Sequence, residues 1–186
     1  RDGVIRLPGR LPLALLGLAL VLLDQGTKAW VEQALPLGGR VDVLPVFAWV
    51  HVRNTGAAFS LLADGAGWQR WFFVILALAF GAWLLRELAR LGPGDGWQAW
   101  AFALILGGAG GNLVDRIATG AVTDFLLFHW FDRAYFPAFN VADVAITIGA
   151  MIWIGLVALE LAGRGPLVPP DAGGASDGPD RQRDAS

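Results

Sequence analysis

The chain has no cysteine, which excludes disulfides, thiolate nucleophiles and Cys-based metal sites. Histidine is almost absent too. His51 and His129 are the whole set, too few and too far apart for a zinc site, and each reads as an ordinary interfacial or loop residue. Neither sign of charge dominates. The formal net charge is −2, so nothing pulls the chain toward nucleic acid and no such partner is expected. Charged residues make up 16% against 55% hydrophobic, and the mean hydropathy is +0.54. Ordinary soluble domains of 186 residues are more polar than this. Glycine, by contrast, is plentiful at 25 residues and clusters within the apolar runs, as in closely packed membrane helices.

Four apolar stretches are long enough to matter, since about 20 residues are needed to cross a bilayer. Residues 1–10 form a short lead with three arginines. Residues 11–34 form a first helix, in which Asp24 and Lys28 share a face near its outer end. No small-residue cleavage site follows its apolar core, so it reads as a span rather than a signal peptide. Residues 71–85 with their flanks make a second helix, 97–114 a third, and 139–162 a fourth. Between the first two, residues 35–67 carry Pro36, Gly38, Gly39 and Pro45, with β-branched alternation in 41–44 and 47–53. That pattern predicts a small β-structured region on the membrane surface. Residues 122–136 read as a mixed aromatic loop. From residue 164 the chain is rich in Gly, Pro, Asp and Arg, and is expected to be disordered. The expectation is a mainly α membrane protein. It has four transmembrane helices and a small periplasmic β-domain between the first two.

An even number of helices puts both termini on one side. Eight Lys and Arg lie on that side and six on the other, of which Lys28 and Arg116 read as site residues. The positive-inside rule then makes the termini cytoplasmic. Every unusual polar group falls on the opposite, outer side: Asp24, Lys28, Asn54, Asn112, Asp115, Arg116, Asp124, Asn140 and Asp143.

Carboxylates at membrane depth are costly and usually functional. Asn112, Asp115 and Arg116 are spaced i, i+3 and i+4, so they share a helical face. Asn140 and Asp143 repeat the Asn-x-x-Asp phrase on the next helix, and Asp124 lies between. Two carboxylates brought together in a low dielectric share one proton. One then activates water while the other polarises a carbonyl, the chemistry of aspartic proteases. Two other readings stand beside it. The acids could relay protons in a small ion-coupled carrier. They could also merely pair with Lys28 and Arg116 and cap helices. Gly107, Gly108, Gly110 and Gly111 read as close helix packing rather than a phosphate loop.

Four phrases together resemble the lipoprotein signal peptidase (signal peptidase II) family. They are Asp24-Gln-Gly-Thr-Lys28, Asn54-Thr-Gly-Ala-Ala-Phe-Ser60, Gly107-Gly-Ala-Gly-Gly-Asn-Leu-Val-Asp-Arg116 with Gly120-Ala-Val-Thr-Asp-Phe125, and Phe136-Pro-Ala-Phe-Asn-Val-Ala-Asp143. They occur in the family's order across residues 11–160. Small departures are Gly26 and Gly110 in place of larger residues, and Thr123 where Val is usual. The resemblance implies an aspartic endopeptidase of the bacterial inner membrane. It would cut prolipoproteins before a diacylglyceryl-modified cysteine. It implies Asp124 and Asp143 as the catalytic pair. Asp24, Lys28, Asn54, Asn112, Asp115, Arg116 and Asn140 would give support, with Arg116 anchoring Asp115 or a substrate carbonyl. The expected partners are diacylglyceryl-modified prolipoproteins and membrane lipids. No cofactor or metal is expected, and the expected state is a monomer. Residues 61–71 and the aromatic segment 130–139 are expected as gates or lipid contacts.

Overall fold

The computed structural model describes residues 7–56, 67–131 and 133–163. The expected lead before residue 7, residues 57–60 of the second phrase, most of the expected gate at 61–71 and the tail lie outside the described residues. Four long helices and four strands follow in the order α1 (Arg10–Ala34), β1 (Arg40–Leu44), β2 (Phe47–Asn54), α2 (Trp68–Leu88), α3 (Gly96–Ala118), β3 (Val122–Trp130), β4 (Ala134–Tyr135) and α4 (Val141–Leu161).

Local chemistry sets the boundaries. Pro12 falls in the first turn of α1, where its missing N–H is not needed. Leu35 leaves that helix in an extended conformation, the one favoured before Pro36. A Gly92-Pro-Gly-Asp95 turn separates α2 from α3. Asn140 caps α4 in a capping box: its side chain accepts from the Asp143 N–H, and its own N–H donates to the Asp143 carboxylate. The fourth helix therefore starts at Val141, two residues later than expected, because Phe139 is held in a bridge to Leu126.

α3 is the centre of the bundle. It packs against α1, α2 and α4, and small residues permit the approach. A methyl group at Gly107 would meet Gly17 of α1 at 3.0 Å, and one at Gly108 would run into the Ala142 carbonyl of α4. The glycines are thus packing devices. Three helices, Arg10–Ala34, Trp68–Leu88 and Val141–Leu161, are long and apolar enough to cross a membrane. Their outward faces carry exposed Leu11, Leu15, Leu18, Leu22, Ile75, Leu78, Met151 and Ile154. The 23-residue α3 would span about 34 Å at about 1.5 Å per residue, but its glycines and its polar end make it less apolar.

The sheet corrects the sequence reading. It is antiparallel, in the order β1-β2-β3-β4, and half of it comes from the segment between α3 and α4. Val122–Trp130 and Ala134–Tyr135 are therefore strands, not an aromatic loop, and the sheet is not confined to the region between α1 and α2. β3 pairs along β2, with Val52 opposite Asp124 and Asn54 opposite Val122. Its first four residues are all buried, so the alternation that signals a strand is missing. Stacked Trp49 and Phe125, with Trp30 edge-on to Trp49, join the sheet to the end of α1.

Candidate active site

The polar residues singled out in sequence meet where the ends of α1, α3 and α4 reach the sheet. They form two groups of acids. In the first, Lys28 is 3% exposed and its ammonium uses all three donors: Asp24 Oδ2 at 2.7 Å, Asp115 Oδ2 at 2.8 Å and Asn112 Oδ1 at 3.0 Å. Asp24 Oδ1 accepts from the Ala142 N–H at 2.9 Å, at the positive end of α4. Asp115 also accepts from Gln25 Nε2 at 2.8 Å and from the Thr123 N–H at 3.2 Å. Gly111 is needed here, because a Cβ would lie 2.5 Å from Asp24 Oδ2.

The second group is held by amides. Asp124 accepts from Asn140 Nδ2 at 2.7 Å and from Asn54 Nδ2 at 3.0 Å. Asp143 accepts from Asn112 Nδ2 at 2.8 Å and from the Asn140 N–H at 3.2 Å. The amide orientations follow from their other partners. Lys28 can only donate, so Asn112 turns its oxygen to the ammonium and its nitrogen to Asp143. Asn140 Oδ1 accepts from the Asp143 N–H, which leaves Nδ2 for Asp124. Asn54 Oδ1 accepts from the Gly56 N–H at 2.8 Å. An Asn140–Asn112 bond of 3.1 Å closes a chain from Asp124 through two amides to Asp143.

Burial pushes the Asp124 carboxyl up to about 6, and the nearby negative charge of Asp143 pushes the same way. The Asn54 and Asn140 hydrogen bonds and the Lys28 charge pull it down by less. Asp143 is half-buried and lines a cavity of about 440 Å³ between α2 and α4, with Phe73, Phe80, Asn112 and Arg116. Among the described residues, no cluster of three His, Cys, Asp or Glu side chains could hold a metal.

All nine expected residues thus fall in one region, but two details differ from expectation. Arg116 does not anchor Asp115. Neighbouring side chains on a helix diverge, and Lys28 supplies the cation instead. Arg116 donates to the Asn112 carbonyl at 3.3 Å and lies over the Phe73 ring at 5.2 Å. Capping, set against function in the sequence, does not keep these residues from the acid cluster: Asn140 and Asp143 form the cap and also reach it. Sequence reasoning missed Gln25, Glu32 and Thr123. Thr123 Oγ1 donates to Glu32 Oε1 at 2.7 Å, and Arg53 lies 3.6 Å from the same Glu32 oxygen. Gln25 stood inside a noted phrase, but only the folded α1–α3 contact gives it Asp115 as a partner.

The signal peptidase (SPase) II profile matches residues 16–159. A lipoprotein signal peptidase of Pseudomonas putida is 53% identical over 145 residues, covering 77% of this chain and 85% of that protein. The one from Pseudomonas aeruginosa PAO1 is 50% identical, covering 77% and 86%. A solved structure described as a bacterial membrane enzyme superposes with a TM-score of 0.75 at 25% identity, covering 89% of this chain and 98% of its own. Apolar helices with an acid cluster at their ends, in the company of these relatives, define a bacterial membrane peptidase. More narrowly, the chain belongs to the signal peptidase II family.

Proposed function

We propose that Asp124 and Asp143 form the catalytic pair with which this signal peptidase II removes signal peptides from bacterial prolipoproteins. The bond hydrolysed precedes the diacylglyceryl-modified cysteine. The observation that carries the assignment is the contrast between the two groups of acids. Asp24 and Asp115 are both ion-paired to Lys28. Asp124 and Asp143 are held in place by neutral amides and by the Asn140 N–H, with no ion pair among the described residues.

Two such carboxyls in a water-poor site share a proton. Asp124, whose affinity for protons is raised, holds it. Asp143 takes a proton from water as the water oxygen attacks the scissile carbonyl carbon. Asp124 gives its proton to the carbonyl oxygen as that oxygen becomes tetrahedral. On collapse the C–N bond breaks, the amine leaves with the proton from Asp143, and the hydroxyl returns a proton to Asp124. The two asparagine side chains that bridge the acids keep them aimed at one point. The α2–α4 cavity, open beside Asp143, suits the lipid-bearing cysteine.

In this reading all four helices cross the inner membrane, the sheet and acids face the periplasm, and both termini are cytoplasmic. The working unit is a monomer. A carrier is disfavoured because α3 continues behind the cluster as Gly108, Gly107, Leu106 and Ile105, a run with no polar side chain. The test is cleavage of a lipidated prolipoprotein in detergent or vesicles, followed by the mass shift of the product. Asp124→Asn and Asp143→Asn should each insert and fold, yet abolish cleavage. Full cleavage by either variant removes that residue from the pair.

A further inference from the structure

A second cavity lies at the end of the bundle away from the acids, and nothing in the peptidase reaction uses it. It has a volume of about 600 Å³ and sits between the first half of α1 and the last turns of α2. Leu13 and Leu18 line one wall, Leu85 and Leu88 the other, and Ala103 of α3 the floor. It exists because the α2 backbone packs on α3 and not on α1. On its other side α2 reaches α4 through Trp83 and Trp153, whose ring centroids are 5.7 Å apart. Leu18 and Leu85 are both more than half exposed, so the cavity opens sideways where lipid chains would lie.

Its mouth is basic. Arg10 is part of the lining. Arg86 and Arg90, both exposed, are not in the lining but lie on the final turn of α2 and just past it, at the same end of the groove as Arg10, where long side chains reach its mouth. The nearest acid in sequence, Glu87, is paired with Arg90 at 3.2 Å. Among the described residues neither Arg10 nor Arg86 meets a carboxylate. An apolar crevice with a cationic rim between membrane helices is the chemistry that holds an anionic lipid. The same rim argues against a signal peptide as occupant, because such peptides begin with a basic stretch.

We propose that this groove is a binding site for an anionic glycerophospholipid, with an acyl chain between α1 and α2 and the phosphate on Arg10 and Arg86. The site depends on the helices crossing a bilayer and not on the assignment of the catalytic pair. The experiment uses the whole chain in detergent. Binding of phosphatidylglycerol and of phosphatidylcholine with the same acyl chains is measured by native mass spectrometry and by the rise in Tm. Wild type should prefer phosphatidylglycerol. Each arginine near a membrane surface is worth about five-fold in such binding, so Arg10→Gln with Arg86→Gln should weaken it on the order of 20-fold. Phosphatidylcholine binding should be unchanged in that variant. Ala14→Trp, which fills the groove, should weaken both lipids. Prolipoprotein cleavage in detergent should be unaffected by these changes, which separates this site from the acid cluster. Equal binding of the two lipids to wild type, or phosphatidylglycerol binding that survives the arginine changes, would overturn the proposal. So would displacement of phosphatidylglycerol by a basic signal peptide, or binding that appears only when residues 1–6 are deleted.

Discussion

Asp24 and Asp115 on one side, and Asp124 and Asp143 on the other, are the same chemical group in neighbouring parts of one site. Their surroundings differ most in direct ion pairing; Asp143 and Asp124 feel the charge of Arg116 without a salt bridge. The first two share the Lys28 ammonium, and each also accepts a backbone N–H. The second two receive one uncharged N–H on each of their four oxygens. A carboxylate oxygen can accept more than one hydrogen bond, so both retain room for water or a proton. Charge compensation turns buried acids into struts. Among the described residues Asp124 has no ion pair, and burial raises its proton affinity.

The sharpest way to break this comparison is to remove charge from each pair in turn. Asp124→Asn and Asp143→Asn should lower the cleavage rate by about 10³-fold or more with the fold retained, read by single-turnover kinetics on a lipidated precursor. Lys28→Met should act on the other pair and on stability. It leaves two buried carboxylates without a cation, a change that costs about 3–5 kcal/mol. Thermal unfolding in detergent should show the loss, and adding Asp115→Asn to Lys28→Met should recover part of it. Lys28→Met as stable as wild type would erase the distinction between the pairs.

A smaller effect concerns pH. The Asp124 carboxyl titrates at about 6 when folded, against 3.8 ordinarily. Below 3.8 it is protonated whether the chain is folded or not. Between those values the folded chain keeps a proton that the unfolded chain has lost. Stability therefore falls as pH rises through that window and stays lower above it. Asp124→Asn should flatten that fall in a Tm-against-pH series. Asn54→Ala removes a donor that favours the charged form, so the limb of kcat/KM set by Asp124 should move to higher pH. The smallest effect expected is at Thr123→Val. It loses the bond to Glu32, worth about 0.5–1.5 kcal/mol, and should lower Tm slightly while leaving the pH profile in place.

Much of the site was legible because helices keep their own periodicity. Asp24 with Lys28, and Asn112 with Asp115, share faces by spacing alone, and the structure keeps them there. The expected partnership of Asp115 with Arg116 failed for the same reason, since adjacent residues on a helix point apart. The sheet was half legible. β2 showed itself, but β3 pairs with a strand some 70 residues away and is buried continuously where it carries Asp124. A local window sees neither fact. Nor could it see that Asn140 and Asp143 form a capping box and still touch the acid cluster, because the second role depends on Asn112 and Asp124 arriving from other elements.

The bond from Asp24 to the Ala142 N–H joins α1 to α4, the first and last of the described helices. It has a consequence for a protein made from one end. A ribosome delivers Asp24, Lys28, Asn112 and Asp115 long before Asn140 and Asp143. Until α4 enters, Asp124 lacks its Asn140 donor, and the proposed catalytic pair lacks Asp143. On the proposed pairing, chains that stop early would be inert. The membrane in which they are made is not exposed to a half-built protease.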